Sequence, residues 1–263
     1  MNSQIQPDIL ISALSHEIRN PVTLISSYLQ LIRASHPEVE EYEYWDTLNE
    51  EILHLRTLLA DFSAYHNGLR LCTRSVAAGE WLKGYSLTLP SLIGGILPGT
   101  NCTLSCLREY PHHEPDELIL PGERRECRPV GALNIHILIY LAPDLLRAVF
   151  DPDKLRQVLD NLVRNAAEAI FGEDDGRAAA RTPAILLAAR REGDFLVLSI
   201  EDNGCGLDPG READIFAPFV TGKPEGTGLG LAISERIIQA HGGSLHVTGK
   251  KGQGTRFTCR IPC

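Results

Sequence analysis

The sequence predicts an α+β protein, an N-terminal antiparallel helical hairpin followed by a region of mixed strands and helices. Three observations carry this. Two apolar stripes at steps of four and three are separated by the breaker Ser35-His36-Pro37-Glu38, which gives two amphipathic helices joined by a short link. Runs of alternating or continuous apolar residues recur after Asn134, which is the mark of strands. Helical patterns return from Asp151 and from Leu229, the latter opened by a glycine-rich loop. A chain of 263 residues with 43% hydrophobic content suffices for two packed domains, placed at 1–68 and 69–263.

The first helix is expected from about Pro7 to Ala34. Leu14, Ile18, Val22, Ile25, Leu29 and Ile32 form its stripe. His16, within Ser15-His16-Glu17-Ile18-Arg19-Asn20-Pro21, lies two positions from both Leu14 and Ile18 and therefore points away from that stripe. Asn20, Thr23 and Ser27 share its outward line. Taken alone, a solvated face with an incidental histidine explains this better than a reactive one does. Pro21 removes the amide that would bond the Glu17 carbonyl and should bend or loosen the helix. Leu48, Ile52, Leu55, Leu59 and Phe62 mark the second helix. One hairpin leaves both stripes partly open, so a homodimer forming a four-helix bundle is expected.

Several function classes drop out on composition. The formal charge of −9 offers no basic stripe for nucleic acid. Seven irregularly spaced cysteines without a leader sequence suggest reduced thiols in a soluble, cytoplasmic protein. No apolar run approaches the roughly 18–20 residues that cross a bilayer.

Between Gly68 and Val149 the pattern is weaker. Glu80 to Ile93 reads as a helix, and Asn134 to Leu141 alternates as a half-buried strand. Cys102, Cys106, His112, His113 and Cys127 match no paired metal-ligand spacing, so ordinary thiols are favoured over zinc. From Asp151 onward, Leu155, Val158, Leu162 and Ala166 give an apolar helix face, with Gln157, Asn161, Asn165 and Glu168 along another. Amides and an acid on one line suit a hydrated divalent cation and phosphate oxygens, although a solvated face would look the same. Ala184–Ala189 and Phe195–Glu201 read as strands, the second ending in Asp202-Asn203-Gly204-Cys205-Gly206. An acid there can accept an exocyclic amine, and the glycines allow close backbone approach; a simple turn is the competing account. Phe216 and Phe219 precede Thr221-Gly222-Lys223 and then Gly226-Thr227-Gly228-Leu229-Gly230-Leu231. The helix that follows offers free amides and a positive dipole end to phosphate, and stops at Gly242-Gly243. Ser244–Thr248 and Thr255–Ile261 alternate as a closing hairpin.

These stretches, in this order, resemble the sensor histidine kinases of two-component signalling, over about residues 8–66 and 134–262. Ser15 to Pro21 is similar to the family's phosphoacceptor box and Asn161-Leu162-Val163-Arg164-Asn165-Ala166 to its asparagine box. Asp202 to Gly206 is similar to the first glycine box, Phe216 to Phe219 to the phenylalanine box, and Gly226 to Leu231 to the second glycine box. The resemblance implies an α/β sandwich ATP-binding domain of Bergerat type, with helices on one face of a mixed sheet, after the hairpin. It implies ATP and Mg²⁺ as cofactors, autophosphorylation on His16, and transfer to an aspartate of a response regulator receiver domain. Glu17 would draw on the ring proton, and Asn20 would orient water for a phosphatase reaction. Asn165 would hold Mg²⁺, with Asn161 near the phosphates, and Asp202 would receive the adenine amino group. Gly204 and Gly206 would line the adenine pocket, Lys223 would reach the phosphates, and Thr255 would sit near adenine. Gly226, Gly228 and Gly230, with Thr227 and Leu229 between them, would shape the nucleotide lid.

Two departures stand out. Gly222 occupies a position where many relatives carry threonine, and about 101–133 reads as extra sequence. No sensory region precedes the helices in this sequence, so the input is expected either from a partner, a separate sensor protein, or from the rest of a longer chain. Two other classes remain open: a dimeric scaffold that binds ATP without turnover, and an ATP module akin to chaperones, topoisomerases or serine kinases that act on anti-sigma partners.

Overall fold

The computed structural model describes residues 7–66, 70–109, 134–145, 147–171, 182–208, 210–212, 214–222 and 226–263, the side chains of 7–17, 64 and 66 excepted. By contacts the chain forms two units, Met1–Leu69 with Ala217–Ile233, and Arg70–Phe216 with Ser234–Cys263.

In the first unit, α1 (Pro7–Ser35) and α2 (Trp45–His66) form the hairpin, joined by a short 3-10 turn (Pro37–Glu41). Helix α1 runs through Pro21 without a break. Leu29, Val39 and Trp45 bury one another at the turn, with Ile52 packed against them, which fixes how the helices fold back. Farther along, Arg19 donates to Ser63 Oγ at 2.7 Å and Arg56 to Ser26 Oγ at 3.3 Å. Only part of each stripe is covered. Val22 and Leu29 are 7–8% exposed, whereas Ile18, Ile25 and Ile32 are 41–46% exposed, and Leu48 and Leu55 on α2 are 43–44% exposed.

The second unit begins with β1 (Arg74–Ala77), which pairs antiparallel with β4 (Arg147–Phe150). The helix expected over Glu80–Ile93 is two, α3 (Ala78–Ser86) and α4 (Leu89–Ile96). Pro90, near the start of α4, has no amide to bond the Ser86 carbonyl, so the first helix ends there. A six-stranded mixed sheet has the order β2-β3-β5-β6-β8-β7. Its strands are β2 (Asn101–Cys106), β3 (Asn134–Leu141), β5 (Ala184–Glu192), β6 (Phe195–Asp202), β7 (Ser244–Lys250) and β8 (Gly254–Pro262). Within the stretch 101–133, read from sequence as extra, the six residues of β2 pair in parallel with β3 at the sheet edge. Small and polar residues hide its alternation, in which only Cys102 and Leu104 turn inward.

Helices α5 (Pro152–Phe171) and α6 (Gly230–Ala240) complete the chain. The fully buried Leu155, Val158, Leu159, Leu162 and Val163 of α5 and Ile137, Ile185, Leu187 and Ile200 of the sheet form the core. The opposite sheet face holds a smaller cluster of Ala184, Leu186 and Ala188 under Leu107, Leu138 and Tyr140. That face also carries the buried Glu201–Arg256 ion pair, at 2.7 Å. Among the described residues no helix is long and apolar enough to cross a membrane, and no His, Cys, Asp or Glu cluster could hold a metal. His112, His113 and Cys127 lie outside the described residues.

Asp151 starts α5 as its N-cap, its Oδ1 accepting from the amides of Asp153 (3.0 Å) and Lys154 (3.1 Å). Burial pushes its carboxyl up, but the amides of Cys72, Lys154 and Asp153 outweigh burial and hold it below the ordinary aspartate value. A carboxyl lowered on folding stabilises the fold above its unfolded pKa, and that contribution vanishes as pH falls through the folded value. Urea denaturation of wild type and Asp151→Ala should therefore differ at neutral pH and converge in strong acid. A gap that persists unchanged there would show that the carboxylate's charge is not what stabilises the cap.

Candidate functional site

His16 and Glu17 lie in α1, with their side chains outside the described residues; Asn20, one turn on, is exposed. Around them the helix is polar on its outward side, with Thr23 Oγ1 donating to the Arg19 carbonyl and Ser27 Oγ to the Thr23 carbonyl.

The glycine-rich loop groups with the hairpin. Thr227 Oγ1 donates to Asp61 Oδ2 on α2 at 2.8 Å and accepts from the Leu229 amide at 3.3 Å. Leu229 is fully buried at the start of α6, and Gly226 and Gly230 are half-buried beside it. Phe219 and Gly228 both adopt positive φ, 66° and 65°. The Phe219 amide donates to the Gly228 carbonyl at 2.9 Å, which closes the loop at its base. A Cβ on Gly228 would fall 2.5 Å from the Phe219 carbonyl carbon, so both conformation and space require glycine. Lys223 lies outside the described residues.

In the sheet unit, Asp202 and Thr255 are register partners at the ends of β6 and β8. Both are buried, 2% and 4% exposed. Alternation along the strands puts them on the face that carries Ile200, Leu198 and Phe257, the face packed by α5. Asp202 Oδ1 accepts the Gly204 amide at 2.8 Å, which orients the carboxyl at the strand end. The Cys205 amide donates to the Ala169 carbonyl of α5 at 3.0 Å. A Cβ on Gly204 would lie 2.4 Å from that same carbonyl oxygen, and one on Gly206 (φ 73°) 2.0 Å from the Lys250 carbonyl oxygen. The close approach that these glycines permit is thus to the protein's own backbone at α5 and at the β7–β8 turn.

On α5, Gln157, Asn161, Asn165 and Glu168 are half-buried and share one side. Asn161 Nδ2 donates to Ser234 Oγ of α6 at 3.0 Å, and Ser234 is itself buried. Asn203 carries no role of its own in the sequence reading of Asp202–Gly206. Its Oδ1 accepts the Ala184 amide at 3.0 Å and its Nδ2 donates to the Thr182 carbonyl at 2.8 Å, which staples the start of β5 to the end of β6. Its place between an acid and a glycine was the only clue. Ser234 and Asp61 carried no sequence signal, because each matters only through a residue far away in the chain.

Two family models match the chain: the His Kinase A (phospho-acceptor) domain over residues 8–66, and the histidine kinase-, DNA gyrase B- and HSP90-like ATPase over 150–263. The chain is 28% identical over 253 residues to the signal transduction histidine-protein kinase AtoS of Escherichia coli (strain K12), covering 96% of this chain and 34% of AtoS. It is 29% identical over 256 residues to the sensory histidine kinase/phosphatase NtrB of Escherichia coli O157:H7, covering 96% of this chain and 61% of NtrB. The chain thus spans about a third to three fifths of the length of these relatives. In fold it is similar to full-length ShkA, whose crystal structure is a complex with AMPPNP, with a TM-score of 0.69 at 23% identity over 96% of this chain and 45% of that one. A phosphoacceptor hairpin matched by one model and an ATPase sandwich matched by the other, with relatives of the same kind across nearly the whole chain, establish that this protein belongs to the sensor histidine kinase family.

Proposed function

We propose that the chain autophosphorylates on His16 from ATP and passes the phosphoryl group to an aspartate of a response regulator receiver domain. The observation that supports this most is the pairing of buried Asp202 and Thr255 at the sheet end, on the face packed by the helix that carries Asn161 and Asn165. A buried carboxylate at a strand end suits the amino group of adenine, with the Thr255 hydroxyl as a second polar contact. We assign the hairpin as domain 1–68 and the ATP-binding domain as 69–263, the loop of Ala217–Ile233 belonging to the latter as its lid.

Asn165 fits a Mg²⁺ site: it brings a neutral oxygen donor on a half-buried helix face, and this cation takes few protein ligands and keeps phosphate oxygens and water. When bound there, Mg²⁺ would neutralise charge on the β- and γ-phosphates. Lys223, the Leu229 amide and the loop Gly226–Gly230 complete the phosphate contacts in this reading. Transfer then needs positioning more than covalent help. Neutral His16 offers a ring nitrogen to the γ-phosphorus, the bond to the ADP oxygen breaks as the N–P bond forms, and Glu17 stabilises the ring as it gains positive character. Asn20, exposed one turn away, would orient water for the reverse, phosphatase, step on the regulator.

Because Ile18, Ile25, Ile32, Leu48 and Leu55 stay over two-fifths exposed, a second copy of the hairpin is the partner that would bury them in a four-helix bundle. A partner protein or a further part of a longer chain would supply the input, and the cytoplasm the ATP. Incubation with Mg²⁺ and γ-labelled ATP should give acid-labile, alkali-stable label on wild type and none on His16→Gln. Label that persists in the variant, or nucleotide binding with no label on either protein, would sink the kinase reading; the latter outcome would favour the scaffold.

A further inference from the structure

Beyond the hairpin, the backbone is held at Cys72. The Cys72 amide donates to Asp151 Oδ2 at 2.7 Å, while the other oxygen of the same carboxylate caps α5. The Asp151 amide in turn donates to His241 Nε2 at 3.0 Å, and His241 Nδ1 bonds the Ile237 carbonyl at 2.7 Å. A ring that accepts at Nε2 and faces a carbonyl at Nδ1 carries its proton on Nδ1. One residue, 4% exposed, therefore joins three segments: the connection arriving from the hairpin, the first turn of the asparagine helix, and the last turn of α6. The Asn161–Ser234 bond ties the same two helices again, in the opposite sequence order, so α5 and α6 are clamped at two levels and run antiparallel.

We propose that Asp151 and His241 are positioning residues for phosphoryl transfer, which fix the direction in which the connection leaves the nucleotide-bearing helices and the set of α6 against α5. The inference rests on the kinase reading. Without the Cys72 bond, the first described anchor after the hairpin moves two residues on, from Cys72 to Arg74. Tether length alone then lowers the effective concentration of acceptor at donor by less than about twofold. A lost direction costs more, because transfer depends on alignment of the attacking nitrogen with the phosphorus.

Asp151→Asn separates these roles. Asparagine caps a helix about as well as aspartate, so its oxygen can serve Asp153 and Lys154, but its amide group then confronts the Cys72 N–H donor to donor. We expect a melting temperature lowered by a few degrees, because the carboxylate charge and the Cys72 bond are lost, with unchanged affinity for a fluorescent ATP analogue and autophosphorylation at saturating ATP slowed about fivefold. For His241→Phe, which leaves the Asp151 amide without an acceptor, we expect nucleotide affinity to fall about fivefold; His241→Gln, whose side-chain oxygen can reach that amide, should restore it. A rate for Asp151→Asn within about twofold of wild type overturns the proposal. So does loss of melting temperature and nucleotide binding together in that variant, since a plain cap would produce it, and so does unaltered affinity in His241→Phe. Absence of label on wild type itself would instead overturn the kinase reading, which keeps the two failures distinct.

Discussion

Gly254→Ala is expected to lower the melting temperature of the ATP-binding domain by roughly 6–12 °C and to abolish nucleotide binding. Gly254 opens β8 with φ at 116°, and a Cβ there would sit 2.0 Å from the Asp202 carbonyl oxygen and 2.9 Å from the Asn203 Cα. Backbone atoms cannot swing aside as a side-chain tip can, so β8 must move away from the end of β6. An overlap of this kind in a packed site, added to a conformation that residues with a Cβ rarely adopt, costs about 3 kcal/mol or more. In a domain of this size that corresponds to the stated fall in melting temperature. The strand ends that separate carry Asp202 and Thr255, so affinity should be lost beyond what stability explains. Gly252→Ala is the control: it has a comparable positive φ of 73° but open space around the would-be Cβ, and should cost only about 1–2 kcal/mol. Thermal melts and titration with a fluorescent ATP analogue decide the matter. If the two variants behave alike, backbone crowding at Gly254 is not what makes glycine necessary there.

That prediction could not have come from the sequence, and the reason is general to this fold. Periodicity is local, so what it reports was legible: β3 occupies Asn134–Leu141, as its alternating isoleucines require, α1 has bounds within a residue of those expected, and α5 starts one residue after Asp151. The short strands β1 and β4 escaped because four residues hold too few alternations to stand out, and β2 because its inward residues are a cysteine and a leucine among small polar ones. The site was legible in the identity of its acids, amides and glycines but not in their reasons. The missing side chains of Gly204 and Gly206 make room for the backbone of Ala169 and Lys250, and the Asn161 amide donates to Ser234; neither contact can be read along the chain. Such contacts join residues 35 to 79 positions apart, and no pattern along the chain encodes them.

Arg256→Met should be the most damaging change on the sheet face away from α5. Glu201 and Arg256 are register partners, Glu201 Oε2 lies 2.7 Å from Arg256 Nε, and the residues are 0% and 6% exposed. Leu186 lies opposite Glu201 on the neighbouring strand and Glu201 is fully buried, so a carboxylate that loses this cation cannot turn to water instead. Removal of one partner of a buried pair costs about 3–5 kcal/mol, whereas removal of both for well-packed apolar groups is often neutral. We therefore expect urea denaturation to show a loss of that size in Arg256→Met and recovery of most of it in the double variant Glu201→Leu, Arg256→Met. Recovery of stability need not restore binding. Glu201 and Arg256 immediately adjoin Asp202 and Thr255 in their strands, and a charged, directional pair fixes β6 against β8 more narrowly than two methylene chains can. A double variant that is as stable as wild type yet binds the ATP analogue several-fold more weakly would separate what the pair does for register from what it does for stability. Equal affinity in the two proteins would mean that the backbone ladder alone sets Asp202 against Thr255, and a loss under about 1 kcal/mol in Arg256→Met would mean that the pair holds neither.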